Sequence, residues 1–239
     1  MTKDELAMAR ALFQQAVDRD ASYARAHAAL GYVAAIEALS GYAADRDATL
    51  RDGLGAAERA VELDERDAFN HFALGRICTV RGLNDRALLA LERSLALNPS
   101  SAQTSYGLGV AHFWMGNATQ ALPHLDRAIR LSPQDPHLWS FHYIRGNALY
   151  LTGRHDDAIA AQRAAIQHKG NEYLPYLTLA AALSHDPARE AEARDALAQA
   201  NALKADLSAA FLRASIGNLH PAYLETFLTD LTGLGLPSD

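Results

Sequence analysis

Ten histidines, one cysteine and 28 acidic side chains give this 239-residue chain the raw material for metal binding or proton transfer. Their spacing argues against both. His137 and His142 lie five apart, which puts them on different faces of a helix, and no cysteine pair accompanies them, so no zinc site is expected. Cys78 stands alone, which rules out an intramolecular disulfide and fits a reducing compartment. His27, His71 and His142 recur at one place of a repeating pattern, and His112 neighbours Phe113; they read as half-buried rings with one polar edge. Carboxylates mostly sit beside arginines, as in Asp85-Arg86, Glu92-Arg93 and Asp126-Arg127, the composition of a solvated face with weak ion pairs. The sequence holds no dinucleotide-type Gly-x-Gly-x-x-Gly after a strand, no phosphate loop ending in Gly-Lys-Ser/Thr and no Gly-x-Ser-x-Gly elbow. No catalytic residue, cofactor or metal is therefore expected, and the chemistry left is that of contact with a partner.

The elements that would position such contacts announce themselves by repetition. Leu74-Gly75, Gly82, Ala87, Leu91, Ser94 and Asn98-Pro99 form a phrase that returns 34 residues later as Leu108-Gly109, Gly116, Ala121, Leu125, Ala128 and Ser132-Pro133. A fixed period of that length means stacked helix pairs, each burying its apolar face on the next. Gly82 and Gly116 suit the turn inside each pair, and Pro99 and Pro133 stop the second helices. Gly146, Gly153, Ala158 and Ala165 keep the same offsets in a third unit that starts late, after Asp135-Pro136. A fourth is degenerate, with Ala180-Ala181 for Leu-Gly and His185-Asp186-Pro187 at its turn, followed by Ala193, Leu197 and Ala200.

Upstream, Ala24–Glu65 is eight residues longer than the period, with the excess around Leu39–Tyr42 and Asp45-Arg46-Asp47. Either its helices are long or a loop projects there. Asp4–Arg19 reads as a lone second helix that leaves Leu6, Ala9, Leu12, Phe13 and Ala16 without a preceding helix to cover them. That opens the alternatives of a cap, a homodimer through this end or through the segment near Tyr42, or a longer native chain. At the other end, Asp206–Ile216 and Ala222–Leu231 read as two helices separated by Gly217-Asn218 that cap the last repeat.

With 49% apolar residues the core is ample, and a net charge of −6 speaks against a nucleic-acid partner. The start, MTKDELAMARALF, has no uninterrupted apolar core of a signal peptide, and no apolar run approaches membrane-spanning length. A soluble, cytoplasmic protein is expected.

These positions resemble the tetratricopeptide repeat family: Leu74, Gly75, Ala87, Leu91 and Pro99; Leu108, Gly109, Ala121, Leu125, Ala128 and Pro133; Gly146, Ala158 and Ala165; and, less closely, Leu30, Gly31 and Ala60, then Ala193, Leu197 and Ala200. The family's aromatic near the start of each first helix is replaced by His27, His71, Ser105 and His142. The resemblance implies an all-α, right-handed αα-superhelix over residues 1–205, with a partial first repeat and repeats near 24–67, 68–101, 102–135, 139–172 and 174–205, and C-terminal capping helices over 206–239. Phrases such as Asp20–Ala28, Leu131–Pro136 and the ending Pro221–Glu225 with Leu234–Pro237 also resemble the repeat region that follows a class III nucleotide cyclase or winged-helix output domain in some bacterial signalling proteins.

In stacked helix pairs of this kind the first helices line a concave face. The places that point there are Arg25, Tyr32, Ala35 and Ile36; Phe69, Phe72, Arg76 and Thr79; Gln103, Tyr106, Val110, Phe113 and Trp114; and Tyr143, Asn147, Tyr150 and Leu151. Their aromatic density exceeds the chain's overall 8%, and aromatics anchor interfaces because they bury much area at small entropic cost. Of the carboxylate clamp used by chaperone-binding relatives, only Asn147 stands at a matching asparagine place, with Arg76 the nearest basic residue. The expected function is a non-enzymatic scaffold for a protein or peptide, binding no nucleic acid directly and inserting in no membrane; the alternatives are a self-association or regulatory segment and a small-molecule sensor.

Overall fold

The computed structural model describes residues 2–216 and 220–239. The expected break at Gly217-Asn218 lies outside them. Thirteen α-helices are described and no strand is present among these residues: α1 Lys3–Arg19, α2 Ala24–Leu39, α3 Arg46–Leu63, α4 Ala68–Val80, α5 Asn84–Leu97, α6 Ala102–Trp114, α7 Ala118–Leu131, α8 Leu138–Leu151, α9 His155–His168, α10 Tyr173–Leu183, α11 Glu190–Leu203, α12 Ala209–Ile216 and α13 Pro221–Leu234. The architecture is all-α, built of helix-turn-helix repeats with terminal capping helices. No described helix is long and apolar enough to cross a membrane.

The chain divides into two compact units, residues 1–111 and 112–239. In the first, α1 packs on α2, α2 on α3 and α4, and α4 on α5. Phe72, Leu91, Leu108 and Ala111 form one core cluster, and Ala28, Ala60 and Ala73 another. Small residues are required there: a Cβ at Gly75 would come 2.5 Å from Leu91 Cγ, so α4 and α5 could not keep their spacing. In the second unit α8 packs on α7 and α9, and α10 on α9 and α11.

The turns within pairs place Gly82, Gly116 and Gly153 at φ of 71°, 81° and 73°, the left-handed region open to glycine. Second helices end on residues outside the helical region, with φ of −135° and −139° at Asn98 and Ser132 before prolines, but also −150° and −153° at Asp64 and Lys169, which precede none. Proline thus reinforces a stop that inter-repeat packing already imposes. The extra length of the first full pair is helical: α2 and α3 run 16 and 18 residues, against 13 and 14 in α4 and α5.

At the fourth place of the first helices, His27 Nε2 lies 3.1 Å from the Ala21 carbonyl, His71 Nε2 2.8 Å from that of Glu65, and the Tyr176 hydroxyl donates to Gly170 O at 3.3 Å. Each reaches six residues back and ties a first helix to the turn before it. That is the job of the histidines at this place: they supply a ring and a donor in one side chain. At α1 the expected bare apolar face is corrected in part: Leu6 is buried and Ala9, Phe13 and Ala16 are half-buried, while Leu12 is exposed as expected, with Met8 the other large apolar side chain left exposed there.

Candidate partner-binding faces

In the first unit, α4 carries Phe69, Phe72 and Arg76 along one stripe, and Tyr32 of α2 meets the two phenylalanines with ring centroids 6.5 and 5.4 Å away. Tyr32 and Phe69 are half-exposed, whereas Phe72 is buried. These rings, with Asn98, Gln103 and Thr104, bound a cleft of about 280 Å³. Its polar floor is internally bonded: Ser94 Oγ donates to Ala68 O at 2.8 Å and lies 2.9 Å from Thr104 Oγ1. Arg25 is paired with Asp67, the residue that caps α4 by accepting from the Phe69 N–H at 2.9 Å. Burial would raise the Asp67 carboxyl, but Arg25 and that N–H hold it below the usual range.

One turn beyond Phe72, Arg76 is only 8% exposed. Its guanidinium lies 5.8 Å from the Tyr106 ring centroid, and Tyr106 is half-exposed. The stem passes Gly107, where a Cβ would sit in ordinary contact 3.5 Å from Arg76 Cδ and tighter, 3.0 Å, against Leu91 Cδ2. No carboxylate among the described residues pairs with Arg76, and its Nη1 has no hydrogen-bond partner.

The corresponding face of the second unit is filled. Tyr150 of α8 packs against Tyr223 and Phe227 of α13 at 6.0 and 6.1 Å, and Phe113 at the end of α6 meets Tyr223 at 5.2 Å. The Tyr150 hydroxyl donates to Asp230 Oδ2 at 2.5 Å, and His185 Nε2 lies 2.7 Å from the same oxygen. His155 stacks on His185 at 3.9 Å. Burial, then the bond to Asp230, pushes the Tyr150 phenol well up; burial, then the neighbouring His185, pushes the His155 imidazole down. Burial also raises the Tyr223 phenol well above its ordinary value. At the start of α13, His220 lies over the Gly116 turn, where a Cβ would come within 2.6 Å of its ring. The tail doubles back as well: the Ala209 and Ala210 N–H groups that open α12 donate to Pro237 O and Ser238 O at 2.8 and 3.1 Å.

The expected contact residues therefore divide. Arg25 is exposed, and Tyr32, Phe69, Tyr106, Trp114 and Tyr143 are half-exposed. Phe72, Val110, Phe113, Asn147 and Tyr150 are buried, which corrects the expectation that they present themselves at the surface; Phe113 and Tyr150 are covered by α13. Asn147 spends its oxygen internally, accepting from Gln162 Nε2 at 3.0 Å and Thr178 Oγ1 at 2.8 Å. Tyr143 stacks on Trp139, and Lys169 Nζ lies 4.9 Å from the Trp139 ring. Asp230, His185 and His155 escaped the sequence reading. The signal was present in Tyr223, Phe227 and Asp230, which share one helical face, but their partners lie far away in sequence.

Two overlapping stretches, 80–136 and 106–172, match the tetratricopeptide repeat family. The repeat fold is tetratricopeptide-like. Over 76 residues the chain is 32% identical to the cell division cycle protein 27 homolog of Caenorhabditis elegans, a match covering 32% of this chain but 10% of that protein. Among solved structures it resembles the Cut9 assembly of the APC/C hetero-tetramer Cut9-Hcn1 (TM-score 0.73, 17% identity, 95% of this chain and 40% of that one). It also resembles YrrB, described as a TPR protein with an unusual peptide-binding site (TM-score 0.55, 21% identity, 81% and 93% covered), and MamA (TM-score 0.58, 24% identity, 66% and 91% covered). These likenesses concern the fold. Proteins with this fold generally act as protein–protein interaction scaffolds.

Proposed function

We propose that this chain is a non-enzymatic scaffold that takes a peptide or helix of a partner protein in the aromatic cleft of its first unit. The observation that carries the reading is the half-exposed pair Tyr32 and Phe69 over a cleft of about 280 Å³, backed by buried Phe72. Rings held in place by neighbours offer area to a partner at little entropic cost. The peptide-binding site in YrrB's description supports the same kind of occupant.

Selection from a displayed library of random 12-residue peptides tests this reading. Peptides enriched on the unmodified chain should bind Phe69→Ala at least tenfold more weakly and Trp139→Ala equally well. Equal affinity for the Phe69→Ala chain would place the site elsewhere.

A further inference from the structure

We propose that Arg76 is a receptor for a side-chain carboxylate, so that the first unit selects partner segments in which Asp or Glu lies one helical turn from a large apolar residue. This rests on the cleft of Tyr32, Phe69 and Phe72 being the docking site. Arg76 as a residue is 8% exposed and its Nη1 is buried, and burial of an arginine is ordinarily matched by a carboxylate. Arg76 has none among the described residues; its contact is the Tyr106 ring at 5.8 Å, and Nη1 is buried without a hydrogen-bond partner. Two half-buried arginines show the usual matching: Arg189, with 25% of its side chain exposed, holds Glu192, and Arg145, with 27%, holds Asp126.

Position strengthens the assignment. Phe72 lies four residues before Arg76 on α4, and both side chains border Gly107, where a Cβ would stand 3.5 Å from Arg76 Cδ and 3.6 Å from Phe72 Cε2. An occupant whose apolar side chain enters the cleft at Phe72 thus places its next helical turn over Arg76. The second unit shows that occupant in chemical terms. There α13 fills the face with Phe227 and, three residues on, offers Asp230 to a tyrosine hydroxyl and an imidazole. In the first unit the cation is present and the matching acid is not part of the described chain. Planar guanidinium donors favour a bidentate carboxylate over a neutral amide.

The probes are peptides taken from the same 12-residue library, followed by fluorescence anisotropy on the full chain. Peptides enriched on the unmodified chain should carry Asp or Glu three or four residues from an aromatic residue or leucine. Changing that acid to its amide should weaken binding about tenfold, and amidating the peptide's C-terminus should leave affinity unchanged, since the acid is a side chain. On Arg76→Met the acidic preference should vanish, so that acid and amide peptides bind alike. The same variant should melt about 2–4 °C higher, because an unmatched buried charge has been removed; Arg76→Lys should keep part of the preference. Enriched peptides with no acidic preference, or an acid-to-amide ratio that survives Arg76→Met, overturn the proposal while leaving the cleft intact. Loss of affinity on C-terminal amidation overturns it in favour of a terminal carboxylate. Peptides indifferent to Phe69→Ala would instead show that the cleft reading itself has failed.

Discussion

The two units carry the same kind of face and treat it differently. In residues 1–111 the stripe on α4 ends in open rings and a buried, unmatched guanidinium. In residues 112–239 the equivalent rings on α6 and α8 are roofed by α13, whose Tyr223 and Phe227 are 2% exposed and whose Asp230 closes a cluster with Tyr150 and His185. A helix already seated on one face defines what such a face accepts: aromatic knobs with an acid one turn away. In the first unit Tyr32 and Phe69 remain half-exposed, and Arg76 has no carboxylate partner among the described residues. An aromatic stripe is thus an interface in one half and a core in the other, and the residue types alone do not distinguish them, because both outcomes remove the same apolar area from water.

The largest expected effect tests whether the roof is structural. Phe227→Ala should cost about 3–5 kcal/mol in urea unfolding, the range for emptying a filled aromatic site. Phe69→Ala, half-exposed, should cost roughly 1–2 kcal/mol. Equal losses would erase the distinction between covered and open faces.

Hydroxyl deletions sharpen it further. Tyr150→Phe removes the donor to Asp230 and leaves a carboxylate with 17% exposure relying on His185, so a loss of about 1–2 kcal/mol is expected. Tyr32→Phe should change stability by less than about 0.5 kcal/mol, since the Tyr32 hydroxyl makes no hydrogen bond among the described residues. A large loss for Tyr32→Phe would mean that the first unit's rim is also part of its core.

The smallest effect is a pH dependence between pH 7 and pH 5 that arises from two histidines of the second unit. Burial depresses His142 and His155 in the folded chain below the ordinary 6.5. Below that value the unfolded chain binds protons that the folded chain refuses. Their contribution is therefore complete above about pH 6.5 and is lost as pH falls through the folded values. The melting temperature should drop between pH 7 and pH 5, and His155→Gln should flatten part of that drop. An unchanged slope in the variant would remove His155 from the account.

Much of the architecture was legible because it is local and repeated. The 34-residue phrase, the glycines at positive φ inside the pairs and the close approach at Gly75 follow from steric rules that a short stretch of sequence states in full. The histidines at the fourth place were readable as packing rings, although their tie to the carbonyl six residues back required the fold. The groove positions were readable as a set of places, but not their exposure. Whether Tyr150 faces a partner or α13 depends on residues about 80 positions away, and Asn147 depends on Thr178, 31 positions away.

The sequence by itself determined an all-helical repeat array, its turns and the identity of the first-helix faces, since periodic burial and glycine geometry act within one or two turns of chain. Only the tertiary structure decided which of those faces is closed. Closure is a contest between a helix of the chain and solvent for the same apolar surface, and its outcome rests on contacts between segments that have no fixed spacing in sequence. Arg76 was readable as a basic residue on the first-helix face, but not its burial: only packing shows its head beside Tyr106 and no carboxylate paired with it among the described residues.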